Sequence, residues 1–159
     1  MSKAWIPLLA SLGLLLFAIP VQSDDASDAS AASQESSRQA MRVLDEFMAA
    51  FNARDEEAMV ATLHFPHVRV ASDRTLVEES PATLMEAFDF DAFAKRFDWN
   101  HSAWVSRKIV QSGPKKVHVA TRFARYRADG SVSTEFDSLY IVAERGGRWG
   151  IVGRSSFAP

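Results

Sequence analysis

Three groups of side chains in this sequence could do chemistry. The first is Arg122, Asp137 and Arg154. Asp129-Gly130 and Gly146-Gly147 are two-residue hairpin signals between apolar-rich runs. A two-residue loop fixes strand register, so counting back from the loops pairs residues. Arg122 then falls opposite Asp137, Ala120 opposite Leu139 and His118 opposite Ile141. From the second loop, Leu139 falls opposite Arg154 and Asp137 opposite Ser156, which makes Arg154 a diagonal neighbour of Asp137. Two guanidinium groups around one carboxylate leave donors spare for a carboxylate or an enolate-like oxygen. The same three residues would also serve as a cross-strand ion-pair ladder that only fixes the sheet.

The second group is His64-Phe65-Pro66-His67, with Arg69 two residues on. Either histidine could act as a general base. A spacing of three could also present both rings to a metal ion, but Pro66 interrupts the segment and no Asp or Glu nearby offers a third ligand, so no metal is expected. Capping and packing at a helix–strand junction is the other role open to them. The third group is His101 and Tyr126. They would line the same cavity as the others if the register holds: a loop of two or four residues at 112–115 puts His101 on the face of Arg122, and a loop of three removes it. The candidate catalytic residues are thus His64, His67 and Asp137. The candidate ligand-binding residues are Arg69, His101, Arg122, Tyr126, Asp137 and Arg154. No cofactor is expected.

These residues need a scaffold. Met41, Leu44, Phe47, Met48 and Phe51 recur at steps of three and four, the stripe of an amphipathic helix from about residue 38, with Ser36 or Ser37 as N-cap. Asp55 can cap a second helix whose buried side is Met59, Val60 and Leu63, and Pro66 should end it. A short strand over Val68–Ala71 turns back through Thr75–Glu78. Ser80-Pro81 opens a third helix, rich in phenylalanine and broken once. From Trp99 the period becomes two. Four strands are expected near 100–111, 116–127, 132–144 and 148–157. Helices followed by a meander predict an α+β domain, with about three helices covering one face of an antiparallel sheet.

Both faces of that sheet are apolar. Arg122, Asp137, Leu139, Ile141, Val152 and Arg154 share the face assigned to a cavity. Val119, Phe123, Phe136, Tyr140, Val142, Trp149, Ile151 and Phe157 lie on the other. The second set should meet another subunit, since such a patch is unusual on a monomer, so a homodimer through the outer sheet face is expected.

The totals set the boundaries. The 159 residues suit one domain, and 47% hydrophobic with 24% charged residues argue against a disordered chain. A formal charge of -2 does not predict nucleic-acid binding, and Lys115-Lys116 is too short a patch to change that. There is no cysteine, hence no disulfide and no thiol nucleophile. Lys3, the apolar run Trp5–Ile19 and Val21-Gln22-Ser23 make residues 1–23 a secretory signal peptide. The alternative, an uncleaved anchor, would need about 20 uninterrupted apolar residues. No stable membrane anchor remains after cleavage, and the protein should be periplasmic or extracellular. Residues 24–37, rich in Ser, Ala and Asp, are expected to be a flexible tether. Residues 38–159 are the folded domain.

This order of elements resembles the nuclear transport factor 2-like superfamily, which includes ketosteroid isomerase, scytalone dehydratase and the SnoaL-like polyketide cyclases. FMAAFNARDEEAMVATL is similar to the opening helix-turn-helix of that family, and RWGIVGRSSF to its final strand. The resemblance covers roughly residues 38–157. It implies a conical fold on a strongly curved sheet, and it puts Asp137 at the isomerase's cavity aspartic acid. It also puts Phe47 at the oxyanion tyrosine and Ala71 at the general base. Phe47 cannot donate and Ala71 cannot take a proton, so isomerase chemistry is not expected. The resulting expectation is an exported domain binding a small organic or anionic molecule in an apolar cavity. Two alternatives stand beside it: a lyase, isomerase or cyclase using His67 or His64 with Asp137, and a non-catalytic interaction module.

Overall fold

Four local signals set the helices, and one of them acts earlier in the chain than its composition suggests. The computed structural model describes residues 24–159, so the segment expected to be a signal peptide lies outside the described residues. Helix α1 runs over Asp24–Ala53, taking in the whole segment expected to be a flexible tether. Its alanines are strong helix formers, and its serines are docked. Ser36 is almost fully buried, its hydroxyl within 2.7 Å of the Pro114 carbonyl and 2.8 Å of the Ala32 carbonyl. Ser112 donates to the Ser33 carbonyl at 2.9 Å, and Ser37 and Ser112 are 3.0 Å apart. Ala40, Val43, Leu44, Phe47 and Ala50 form the buried stripe.

Helix α2, Glu56–Ala61, starts where Asp55 accepts from the Ala58 amide at 2.9 Å. Strand β1, Leu63–Val70, follows at once and pairs with β2, Thr75–Glu78. Pro66 therefore sits inside a strand, where β1 and its neighbour lose register and no amide is needed from it. Ser80 and Pro81 open α3, Pro81–Ala87. Asp89 then accepts from the amides of Asp91 and Ala92, restarting the chain as α4, Phe90–Phe97. The expected broken helix is thus two helices, joined through extended Phe88.

Strands β3 (His101–Gly113), β4 (Lys116–Tyr126), β5 (Val132–Arg145) and β6 (Arg148–Ser156) form the antiparallel meander. The sheet order is β2-β1-β6-β5-β4-β3, and β1 runs parallel to β6, so the sheet is mixed where an antiparallel one was expected. The parallel seam is close. A Cβ on Gly153 would lie 2.7 Å from the Val68 carbonyl oxygen.

Register decides the faces. Arg122 pairs with Asp137, Ala120 with Leu139 and His118 with Ile141, the pairs counted from Asp129-Gly130, although the turn there is longer than the two residues expected: Tyr126 faces Val132, and a register shift beside Arg125 restores the count. The last hairpin starts as counted, with Arg145 opposite Arg148, but Val142 then faces Ile151 while Ile141 faces Gly153. Val152 is an extra residue in β6, a bulge that shifts all later pairs by one. Leu139 therefore faces Ser155, and Arg154 faces Tyr140. Arg154 leaves the face of Asp137 and joins the opposite one.

That opposite face is the core. Val117, Val119, Tyr140, Val142 and Ile151 are fully buried, packed with Leu44 and Phe47 of α1. Burial of one such side chain contributes about 1.5–3 kcal/mol. The faces are thus the reverse of those expected. The set headed by Val119, Phe123 and Tyr140 lies under the helices, while the face of Arg122 and Asp137 is the uncovered one. Asn52 anchors the end of α1 to β3, donating to the Ser102 carbonyl at 2.9 Å and accepting from its amide at 2.8 Å.

Candidate functional site

A cavity of about 460 Å³ opens on the inner sheet face. Phe47 and Phe51 of α1, Phe88 beside α3, and Phe93 and Phe97 of α4 form its aromatic wall. The rings interlock, with Phe51 edge-on to Phe93 at 5.5 Å and to Trp99 at 5.2 Å. Opposite them, the strands contribute Tyr140, Arg154, Arg125, Arg69 and His67.

The arginines are placed by sheet pairing. Tyr140 pairs with Arg154, Arg154 with Arg69, and Arg69 with Leu76, one row across β5, β6, β1 and β2. Two like charges thus sit directly opposite each other on the inner face, an arrangement that destabilises a sheet unless something offsets it. Arg154 donates from Nη1 to the Tyr140 hydroxyl at 3.0 Å, and its guanidinium lies 5.8 Å from the Phe47 and Tyr140 rings. Arg69 donates to the Pro159 carbonyl, and its Nε is buried with no partner.

Arg125 is 5% exposed, enclosed by Phe97 at 4.8 Å, Phe93 at 4.9 Å, Phe136 at 5.1 Å and Phe123 at 6.0 Å. Cation–π attraction holds it there. Among the described residues no Asp or Glu side chain forms an ion pair with Arg69, Arg125 or Arg154. The acids of the lining are Asp73 and Asp89, both exposed, and half-buried Glu78.

This environment acts on Arg69, Arg125 and His67. Burial, and then the charge of Arg154, pushes Arg69 and Arg125 down to about 10, so both remain cationic at neutral pH. Burial, then Arg154, pushes His67 down to about 4, leaving its ring neutral. His67 Nδ1 lies 3.3 Å from the Ile151 carbonyl, a contact that places the proton on Nδ1.

The sequence-derived candidates divide accordingly. His67, Arg69 and Arg154 line the cavity. His64 is buried elsewhere, its Nε2 3.1 Å from the Ala143 carbonyl and its Nδ1 accepting from Arg148 at 3.0 Å. Burial, then Arg148, lowers its pKa. Arg148 also donates to the carbonyls of Ala61 and Leu63, so His64 and Arg148 clamp the start of β1 to the last hairpin.

Arg122, Asp137, His101 and Tyr126 lie on the uncovered face. Arg122 pairs with Glu135 at 2.7 Å rather than with a ligand-holding Asp137. His101 stacks on Tyr126 at 4.7 Å; the loop at Pro114-Lys115 has two residues, and two register shifts along β3 cancel in their effect on facing, so His101 stays on that face. The expected histidine–Asp137 pair is therefore not assembled, because the sheet separates Asp137 from His67. Among the described residues no group of three or more His, Asp or Glu side chains is placed to hold a metal ion.

Arg125 is the site residue that the sequence reading missed. A signal for it exists. Val117, Val119, Thr121, Phe123 and Arg125 alternate in one phase, so an arginine occupies a core position of its strand.

The comparisons with known proteins agree with this architecture. A family model described as NTF2-like protein (DUF6841) matches residues 35–157. No curated protein matches the chain. Among solved structures, an NTF2-like protein with a cystatin-like fold from Novosphingobium aromaticivorans superposes with TM-score 0.67 at 8% identity, over 86% of this chain and 90% of that one. A protein of unknown function with a cystatin-like fold from Nostoc punctiforme gives 0.64 at 13%, over 77% and 90%. A ketosteroid isomerase-like protein from Erwinia carotovora atroseptica gives 0.53 at 18%, over 74% and 91%. At these identities the likeness is one of fold.

Proposed function

We propose a function from one premise: the chain belongs to the NTF2-like protein family DUF6841. It is an exported small-molecule-binding domain whose cavity takes an organic anion with an apolar body. One observation carries this reading: buried Arg125 and half-buried Arg69 and Arg154 face an apolar cavity with no Asp or Glu side chain to pair with. Unpaired buried cations cost several kcal/mol. An anion on their free N–H groups would offset that cost through charge-assisted hydrogen bonds, while Phe51, Phe88 and Phe93 cover the rest of the ligand. The test is a thermal-shift and calorimetric comparison of aryl and alkyl carboxylates with their isosteric amides. The acids should raise the melting temperature and the amides should not. Equal effects from both, or none from either, would sink the reading.

A second proposal concerns the uncovered face. Val77 pairs with Val68, Val68 with Gly153, and Gly153 with Ile141. Leu139 pairs with Ala120 in the next row. Val68, Val77 and Leu139 are exposed. This is the patch that a second copy of the chain would cover, so the homodimer moves to the face opposite the one first expected. Sedimentation of wild type and Leu139→Asp tests it. Dimer for the first and monomer for the second is the expected result; monomer for both would refute it. Export rests on Lys3 and the apolar run Trp5–Ile19. No helix of the described residues is long and apolar enough to cross a membrane. A secreted or periplasmic form beginning at Asp24 is the outcome to look for by N-terminal sequencing.

A further inference from the structure

The cavity wall can be sorted by what each polar group offers. Arg69, Arg125 and Arg154 only donate. The Tyr140 hydroxyl already accepts from Arg154, and its own hydrogen has no acceptor among the described residues. It too is a donor toward a ligand. His67 is the exception. Its Nδ1 proton is directed at the Ile151 carbonyl, so Nε2 carries a lone pair and only accepts. No side chain among the described residues donates to it. Nor is it sealed away: the buried polar side-chain atoms left without partners are Arg69 Nε and Trp104 Nε1, so His67 Nε2 opens on the cavity its ring lines.

Position adds to this. His67 and Arg69 are two residues apart on β1, on the same face and roughly 7 Å from one another along the strand. Arg154 stands directly beside Arg69. A lone acceptor therefore lies within a few bonds' reach of the place where two guanidinium groups converge. A plain carboxylate satisfies the donors and leaves His67 Nε2 facing a ligand with nothing to give it. An unpaired buried acceptor costs about 1–3 kcal/mol, enough to set a preference of roughly tenfold or more.

Building on the anion reading above, we propose that the cavity selects hydroxy acids: a carboxylate seated on Arg69 and Arg154, with a hydroxyl a few bonds away donating to His67 Nε2. The neutrality of the ring, with its pKa near 4, keeps that acceptor available at any pH above about 5.

Matched ligands test this on the full chain. The set is 3-phenylpropionate, 3-hydroxy-3-phenylpropionate and the corresponding 3-methoxy acid, titrated calorimetrically into wild type, His67→Phe and His67→Gln. In wild type the hydroxy acid should bind at least fivefold more tightly than the other two. That preference, read as the ratio of the affinities within one variant, should vanish in His67→Phe. It should return in part in His67→Gln, whose amide oxygen accepts. The 15N resonance of His67 Nε2 should move when the hydroxy acid binds and stay in place with the methoxy acid. That readout holds even if a variant fails to fold. Equal affinities for the three acids in wild type would overturn the hydroxy-acid inference while leaving the anion reading standing. Binding of none of them would remove both.

Discussion

Arg154→Met should make the ligand-free protein more stable and a poorer binder of anions. After burial, the charge of Arg154 is the largest influence lowering the pKa values of Arg69, Arg125 and His67. At an effective dielectric of about 20 and a separation of order 6 Å, two unit charges repel by about 3 kcal/mol. Two such pairs are involved, with Arg69 and with Arg125, and water at the mouth will screen part of each. Against this stands the lost hydrogen bond to Tyr140, about 1 kcal/mol. Methionine keeps an apolar stem against Phe47 and Tyr140. The net gain should be about 1–3 kcal/mol, within the range seen when buried charges are replaced by apolar residues. For a domain of this size that is a rise of roughly 3–10 °C in melting temperature. Loss of a charge-assisted contact should weaken carboxylate binding about tenfold or more. Urea denaturation without ligand gives the first number, and calorimetric titration with an aryl carboxylate the second. A variant destabilised by more than about 1 kcal/mol, with carboxylate affinity unchanged, would refute the reasoning: Arg154 would then be structural support rather than a stored charge.

Three further outcomes follow from the same contacts. His67 titrates near 4 when folded and near 6.5 when unfolded, so the unfolded chain takes up its proton first; stability should be complete above pH 7 and fall as pH drops from about 6.5 to 4, by at most about 3 kcal/mol. The difference between wild type and His67→Gln in urea melts across that range isolates this contribution, and parallel curves would contradict it. Gly153→Ala should cost about 1–3 kcal/mol, because the new Cβ meets backbone at Val68 and must part β1 from β6; an unchanged urea midpoint would show that the seam can relax. Asn52→Ala should cost about 2–3 kcal/mol by leaving both backbone groups of buried Ser102 unpaired, without altering carboxylate affinity; chemical denaturation and calorimetry on the same sample separate the two effects.

How much of this was legible in the residues depends on how far the signal travels. Caps are local. Asp55, Ser80 with Pro81, and the two-residue loop at 146–147 act within four residues, and each stands where its chemistry places it. The counted register of β4 on β5 holds from Arg122–Asp137 to His118–Ile141, but the turn at 129–130 is longer than two residues, and a register shift beside Arg125 makes up the difference. The start of α1 was not legible, because Ser33, Ser36 and Ser37 look like linker until they find Ser112 and Pro114, some 75 residues away. Ser80 alone did not reveal that a second cap at Asp89 would divide the following helix.

The sequence by itself determined that there would be a sheet apolar on both faces, helices enough to cover one of them, and a set of basic residues on its strands. It could not say which face is covered. A period of two separates residues into two sets and is silent on which set points inward, and one extra residue exchanges them. Tertiary structure made that choice by packing α1 on the face of Val119 and Tyr140. The bulge at Val152 then turns Arg154 from Asp137 toward Tyr140 and Arg69, and the packing of α1 and α4 closes the aromatic wall around Arg125. An arginine cluster without a counter-charge is invisible along the chain, because its members lie on β1, β4 and β6 and only their convergence makes them a site.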